Sequence, residues 1–351
     1  MPAVVVSGPS GTSIHTTPWG KKPGRIGFSC VQRDQSFRVV CVITGTEAKN
    51  ETKEAGGLGI PKAQLAHIGG SGTWASVFPE DCHMEGVKVV EKGLEFETPY
   101  GTTVPMKLLE LDGSVCLDGK TKRVLTVPFH GWHSPDMADG GPEQIFWVFE
   151  QAGVRQIVVE GSGGGINHLL DVGDVVIPED FMDFKKTSTS EFVRGRLIRM
   201  RDPLCPTLSQ TLHSALQGEG YGRVFRRAVY AVTEGPRFES AAEIRGMKSW
   251  GADIVGLTLS PEVYLARAIG ACIAGVYIVS NHAEGQVGEW EGGSIYDVYR
   301  DCAPKIGRAV LRTLMETDSV KTCACDSYRT EIPKVITRLW DNETEDKKGG
   351  N

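Results

Sequence analysis

Short apolar runs alternate with amphipathic stretches from about residue 65 to residue 317, and many of the runs end on glycine or on a small polar residue. The clearest series lies between residues 228 and 281. The pattern there predicts a strand over 228–232, then a turn through Thr233-Glu234-Gly235-Pro236-Arg237-Phe238-Glu239-Ser240. A helix follows, then a second strand ending at Leu257-Thr258, a second helix, and a third strand stopping at Ser280-Asn281. Ser260-Pro261-Glu262 reads as the start of that second helix, with Ser260 as its cap and Pro261 in its first turn. In an open α/β sheet ligands collect beyond the carboxyl ends of strands. Glu239, Thr258 and Asn281 are therefore expected to share one site.

The same reading extends to the rest of the chain. A strand over 65–68 runs into the turn Gly69-Gly70-Ser71-Gly72-Thr73, whose backbone N–H groups and hydroxyls can cradle an anion. A strand over 123–129 ends at Pro128-Phe129-His130-Gly131-Trp132-His133. The spacing of Ile145, Phe146, Val148 and Phe149 predicts a helix over 142–152, with Pro142 in its first turn and Gly153 at its stop. A buried strand over 156–160 discharges into a second glycine loop, Gly161-Ser162-Gly163-Gly164-Gly165. Further on come a strand over 172–178, a polar loop over 185–201 and helices over 207–218 and 295–317.

Alternating strands and helices without a repeat predict the α/β class, one domain with a central mixed β-sheet flanked by helices, over residues 63–318. Residues 1–62 are expected to form a partly disordered extension with one edge strand at 37–44. Residues 319–351 read as a polar tail, disordered from 341 onward.

Composition narrows the function classes. The chain has 351 residues and a net charge of -6, which offers neither nucleic acid nor an anionic membrane an electrostatic partner. Nine cysteines without an apolar leader segment point to a reducing, cytoplasmic location. Cys323-Ala324-Cys325 has no second pair or histidine cluster near it in sequence, so plain thiols and no metal site are expected.

Candidate chemistry gathers at the strand ends. Ser71, Ser162, Thr258 and His130 offer neutral donors to an anion, while the Glu239 carboxylate and the Asn281 amide can read a heterocycle carrying both donors and acceptors. Phe238 offers an apolar face to a base or a sugar. The chain has no Gly-x-Ser-x-Gly elbow, no Walker loop and no His-Glu-x-x-His, and Gly161 to Gly165 do not meet the dinucleotide fingerprint.

Five motifs occur in order: Gly69-Gly70-Ser71-Gly72; Gly163-Gly164-Gly165-Ile166-Asn167 with Val172-Gly173-Asp174; Glu234-Gly235-Pro236-Arg237-Phe238-Glu239; Gly251-Ala252-Asp253-Ile254-Val255-Gly256; and Ser260-Pro261-Glu262. Together they resemble the trimeric purine nucleoside phosphorylase and methylthioadenosine phosphorylase family, over roughly residues 65–317. The resemblance implies a homotrimer that cleaves the N-glycosidic bond of a purine nucleoside with phosphate as co-substrate, giving free base and sugar 1-phosphate, without metal or organic cofactor. By position it assigns Ser71, His130, Ser162 and Thr258 to phosphate and ribose, and Phe238, Leu257, Glu239 and Asn281 to purine and sugar, with Asn281 and His130 in the catalytic roles. Glu239 with Asn281 matches the 6-oxopurine branch, and an ungapped count places Ile295 where that branch often has a histidine for the 5′-hydroxyl, which would suit a 5′-modified sugar.

Two departures from the family pattern stand out. The arginine usual just ahead of the histidine is replaced by Pro128 and Phe129, and Glu160 stands where neutral residues are usual. They keep two alternatives open: a phosphate-independent hydrolase in which Glu160, His130 or His133 positions water, and a non-catalytic nucleoside-binding homologue.

Overall fold

Strands that read as unbroken apolar runs are covered on both faces, and in the computed structural model they form the middle of one sheet. The structure describes residues 29–33, 36–40, 59–128, 141–185, 190–235, 237–287, 294–318 and 320–333. The chain divides into two units, Met1–Ala55 and Gly56–Asn351. In the first, β1 (Ser29–Arg33) and β2 (Ser36–Val40) pair antiparallel, with Ser29 opposite Val40. The edge strand expected at 37–44 therefore has its partner within this unit, and residues 41–44 lie outside the described residues.

The second unit opens with β3 (Leu65–Ile68) and the short helix α1 (Ser71–Trp74). Strands β4 (Val87–Leu94), β5 (Glu97–Thr98), β6 (Gly101–Thr102), β7 (Met106–Leu111) and β8 (Lys122–Val127) follow. After α2 (Gly141–Ala152) come β9 (Gln156–Gly165), β10 (Val175–Asp183), α3 (Ser190–Val193), β11 (Arg196–Ile198) and α4 (Pro206–Gly218). The series predicted at 228–281 appears as β12 (Val224–Val232), α5 (Ala241–Ser249), β13 (Ile254–Gly256), α6 (Glu262–Ala268) and β14 (Cys272–His282). Helix α7 (Ser294–Glu316) and strand β15 (Arg329–Glu331) complete the described elements.

The main sheet has nine strands in the order β13-β12-β10-β14-β9-β3-β8-β7-β4, and β13 pairs again with β9. That second pairing closes β13, β12, β10, β14 and β9 into a ring, with β3, β8, β7 and β4 as an open wing. Inside the ring Tyr230 and Tyr277 are fully buried with ring centroids 4.5 Å apart. Helices cover both sides. Ile145, Phe146, Val148 and Phe149 of α2 and Val263 and Leu265 of α6 join one core. Leu208 and Leu212 of α4 and Ile306, Val310, Leu311 and Leu314 of α7 join the other. No described helix is long and apolar enough to cross a membrane.

Several expectations change. Residues 161–165 are not a loop: β9 runs through them as a strand, because glycine suits a strand that another backbone approaches closely as well as it suits a turn. Strands β4 and β7 were not anticipated, and 185–201 contains α3 and β11. Part of the supposed polar tail is ordered, since β15 pairs antiparallel with β11, Arg196 opposite Glu331. Residues 341–351 lie outside the described residues. Ser260 does not cap α6; its hydroxyl donates to Asp183 Oδ2 at 2.6 Å, and Pro261 occupies the cap position.

One buried charge holds the wing to α7. Lys122 is 1% exposed, and its ammonium donates to the carbonyls of Met315 at 2.8 Å and Thr317 at 2.5 Å, beside Asp118 at 3.4 Å. A cation there complements the carbonyl end of the helix dipole. Lys122→Met is expected to lower unfolding stability by about 1–3 kcal/mol, because those carbonyls lose their donor in a dry interior. Urea denaturation measures this, and an unchanged midpoint would show that the contact contributes nothing.

Candidate active site

Close backbone approach sets the geometry of the site. β9 runs parallel to β14, whereas β13 runs antiparallel to β9, with Ile254 opposite Gly165 and Val255 opposite Gly164. A Cβ on Gly163 would lie 2.5 Å from the Val255 carbonyl oxygen, and one on Gly256 would collide with the Tyr230 hydroxyl. Glycine is required here because no side chain fits. The strand ends therefore do not share one carboxyl edge, as expected from a parallel sheet. β12 and β13 arrive against the direction of β9 and β14, and the crossing brings Thr258 level with Gly161, where a Cβ would be 3.3 Å from Thr258 Oγ1.

The turn after β3 was expected to cradle an anion, and it does so with one of the chain's own. Glu160 is fully buried, and its Oε1 accepts from the backbone N–H of Gly70 at 2.5 Å, from the N–H of Thr73 at 3.0 Å and from the Thr73 hydroxyl. The negative charge that departs from the family pattern thus answers the donors of the turn. The contacts to the turn all use Oε1, and Oε2 is buried as well.

Ser71 is left for another task. Its hydroxyl donates to Ser162 Oγ at 2.7 Å, and Ser162 Oγ lies 2.9 Å from the hydroxyl of Tyr299 on α7. On the other side of Ser162, the Tyr230 hydroxyl stands 3.4 Å from the Ser162 carbonyl and 3.3 Å from Thr258 Oγ1. Burial pushes the Tyr230 phenol up, so it remains a protonated donor. Leu259, just after Thr258, is fully buried with φ of 76°, a left-handed conformation uncommon for a branched side chain and found where the surroundings impose it. Lys185 lies against the same turn, donating to the carbonyls of Leu257 at 2.5 Å and Ser260 at 3.0 Å. Burial lowers the pKa of Lys185, while Glu262, Asp183 and Glu234 act in the opposite sense.

The two residues expected to read a base are buried as well. Glu239 is 7% exposed and accepts from the Thr233 hydroxyl, while the Thr233 N–H donates to the Gly256 carbonyl at 2.9 Å. Asn281 sits opposite Gly164. Its Oδ1 accepts from the Ser280 hydroxyl at 2.9 Å and its Nδ2 donates to the His282 carbonyl at 3.0 Å. Those bonds fix the amide orientation and leave one N–H and one lone pair for a ligand. Phe238 is exposed, and Leu257 is half-buried beneath Gly235.

Other motif residues are architectural. Asn167 Nδ2 donates to Asp253 Oδ1 at 2.8 Å, and Asp253 Oδ2 accepts from the Val229 N–H at 2.9 Å, which ties β9, β13 and β12 together. Asp174 takes a two-pronged contact from Arg223 at 2.6 and 2.8 Å, while its backbone and that of Gly173 bond Val279, two residues before Asn281. Glu243 and Ser240 form a capping box on α5, with Arg237 paired to Glu243.

Of the predicted site residues, Ser71 and Ser162 meet directly, and Tyr230 links them to Thr258. His130, His133 and Phe129 lie outside the described residues, and Pro128 is exposed at the end of β8. Tyr299 and Lys185 were missed. Tyr299 lies one helical turn beyond Ile295, so following that face of α7 would have reached it; Lys185 looked like one more solvated charge. A separate cleft of about 350 Å³, lined by Ile177, Asp180, Leu204 and Arg226 among others, includes none of these residues.

Residues 122–315 match the phosphorylase superfamily. Over 185 residues the chain is 35% identical to a probable S-methyl-5′-thioinosine phosphorylase of Methanopyrus kandleri, a match spanning 52% of this chain and 72% of that protein. It is 34% identical over 233 residues to a probable 6-oxopurine nucleoside phosphorylase of Thermococcus kodakarensis, spanning 63% of this chain and 80% of the relative. Among solved structures, a methylthioadenosine phosphorylase from an antarctic soil metagenomic library superposes with a TM-score of 0.61 at 26% identity, covering 79% of this chain and 98% of that one.

The internal carboxylate gives a direct test. Glu160→Ala leaves the Gly70 and Thr73 donors dry and is expected to cost about 1–3 kcal/mol per unsatisfied group, while Glu160→Gln, which keeps an acceptor oxygen, loses less. Urea midpoints of the two variants check this order. Equal and negligible losses would show that Glu160 does not organise the turn.

Proposed function

Because the chain belongs to the phosphorylase superfamily, we propose that it cleaves the N-glycosidic bond of a 6-oxopurine nucleoside with inorganic phosphate, releasing free base and sugar 1-phosphate. The observation that carries this reading is the run of hydroxyls from Ser71 through Ser162 to Tyr299, with Thr258 alongside and the buried Glu239 and Asn281 as a second polar group. The first group suits phosphate and ribose, and the second suits a purine. Phe238 and Leu257 supply apolar contact to the nucleoside.

Bond cleavage loosens the sugar toward an oxocarbenium ion and leaves negative charge on the departing purine. An amide already held by Ser280 and His282 stabilises that charge without reorganising, so the Asn281 N–H contributes most where charge develops. The Ser71 and Thr258 hydroxyls and His130 hold phosphate beneath the anomeric carbon. Lys185, fixed on the carbonyls that flank Thr258, supplies positive charge that Pro128 and Phe129 do not. In this reading the reaction uses no metal or organic cofactor, the protein works as a homotrimer, and it is cytoplasmic, in keeping with the free state of the seven described cysteines.

Asn281 and Glu239 together favour a 6-oxo base, since the remaining amide N–H can donate to the N7 and 6-oxo edge whereas a carboxylate only accepts. In this reading the half-buried Ile295, one helical turn before Tyr299, meets the 5′ substituent, which extends the proposal to 5′-methylthio sugars.

Incubation with inosine, guanosine and methylthioinosine, with and without phosphate, is expected to release base only with phosphate and to form sugar 1-phosphate in equal amount. Base release indifferent to phosphate overturns the phosphorylase assignment, and binding without turnover points to a nucleoside-binding protein. Asn281→Asp is expected to shift kcat/KM from 6-oxo toward 6-amino purines by about ten- to hundredfold, equivalent to roughly 1–3 kcal/mol. Glu239→Ala is expected to weaken 6-oxopurine turnover, and selectivity unchanged in both variants refutes the base assignment.

A further inference from the structure

Folding brings together four cysteines that are far apart in sequence. The sulfur atoms of Cys205, Cys272, Cys323 and Cys325 all lie within 4.8 Å of one another, and those of Cys272 and Cys323 are 3.2 Å apart. Cys205, Cys272 and Cys325 are 2%, 1% and 4% exposed, and Cys323 is half-buried. A tetrahedral tetrathiolate with zinc–sulfur bonds of about 2.3 Å places its sulfurs about 3.8 Å apart, a size this cluster reaches with small side-chain adjustments. The expectation of plain thiols rested on the absence of a second pair near Cys323-Ala324-Cys325; Cys205 and Cys272 supply that pair from elsewhere in the chain.

The scaffold around the cluster is fixed. Cys205 stands immediately before α4, and its N–H donates to the Ile273 carbonyl at 2.8 Å, next to Cys272 at the start of β14. Cys325 begins a 3₁₀ turn ending at Tyr328, whose Ser327 N–H returns to the Ala324 carbonyl at 2.9 Å. Basic side chains tie down the backbone of these elements, and Lys321 also pairs with Asp326, next to Cys325. Lys321 donates to the Gly270 carbonyl at 2.8 Å, Arg329 to the Ala268 carbonyl at 2.7 Å, and the buried Arg267 to the Asp202 carbonyl at 2.7 Å.

We propose that Cys205, Cys272, Cys323 and Cys325 bind one zinc ion as a closed structural site that fastens the segment leading into β15 to the start of α4 and β14. All four positions are protein sulfurs, so no site is left open for water and the ion takes no part in cleaving the substrate. Binding replaces the thiol protons, which are released to solvent, and the binding free energy becomes folding free energy for the C-terminal segment.

The test uses the full chain purified under reducing conditions, without a metal-affinity step, from medium supplied with zinc. Mass-spectrometric elemental analysis is expected to find about one zinc per chain, as four-coordinate structural sites hold. Exchange with cobalt is expected to give the intense visible bands of a tetrahedral tetrathiolate, and the double variant Cys323→Ala, Cys325→Ala is expected to lose both signals. If that variant does not fold, the cobalt spectrum of the unaltered protein still decides the question. Substoichiometric zinc in reduced protein without cobalt bands overturns the proposal. So does an intact mass lighter by two hydrogens per cysteine pair, which would show disulfides instead of a metal.

Discussion

The approach of Gly163 to the Val255 carbonyl is the contact on which the rest of the structure depends. Only a strand without side chains at that point lets β13 pair with β9 and close five strands of a larger sheet into a ring. Closure reverses the sense in which β12 and β13 meet β9. As a result the Thr258 hydroxyl comes close to Gly161, and the hydroxyls of Ser71 and Ser162 meet on the neighbouring stretch. The Asn167–Asp253 contact and the Asp174 backbone act on the same seam, so these motif residues set the positions of the candidate site residues.

Charge is distributed with similar economy. The turn after β3 presents inward-pointing N–H groups, and Glu160 satisfies them from inside the protein, while the adjacent Ser71 hydroxyl turns to Ser162. Lys122 does the complementary work at the carbonyl end of α7. Both groups are fully or almost fully buried, and each is tolerated because donors or acceptors surround it. The polar atoms of the site are mainly neutral hydroxyls and amides, whose strength comes from fixed orientation in a water-poor setting.

The alternation of apolar runs was legible because long elements such as α7 and β14 carry strong periodic or unbroken apolar signals. Strand direction was not. Nothing local in 228–257 distinguishes a parallel from an antiparallel approach, and the ring closes through a pairing between Gly164 and Val255 that is distant in sequence. The glycine run at 161–165 misled for a physical reason, since the absence of Cβ serves loops and crowded strands alike. Ser71, Ser162 and Thr258 could be picked out because each follows or interrupts a strand. Tyr299 could be reached only by following the Ile295 face of α7, since its partner lies across the fold on β9, and Cys205 and Cys272 looked like isolated thiols because their partners are likewise distant in sequence.

The irregularity in β14 between Val279 and Asn281 has a consequence for how this protein can change over generations. In a regular strand neighbouring side chains point to opposite faces, yet here the Ser280 hydroxyl reaches the Asn281 amide at 2.9 Å, and the bulge makes that contact possible. Inserting or deleting one residue in this stretch turns Asn281 to the other face of the sheet. Point substitutions at 281 leave the register intact. Under the proposed base-reading role of Asn281, new base preferences are therefore reachable by single codon changes, whereas length variation along β14 reorients the residue altogether.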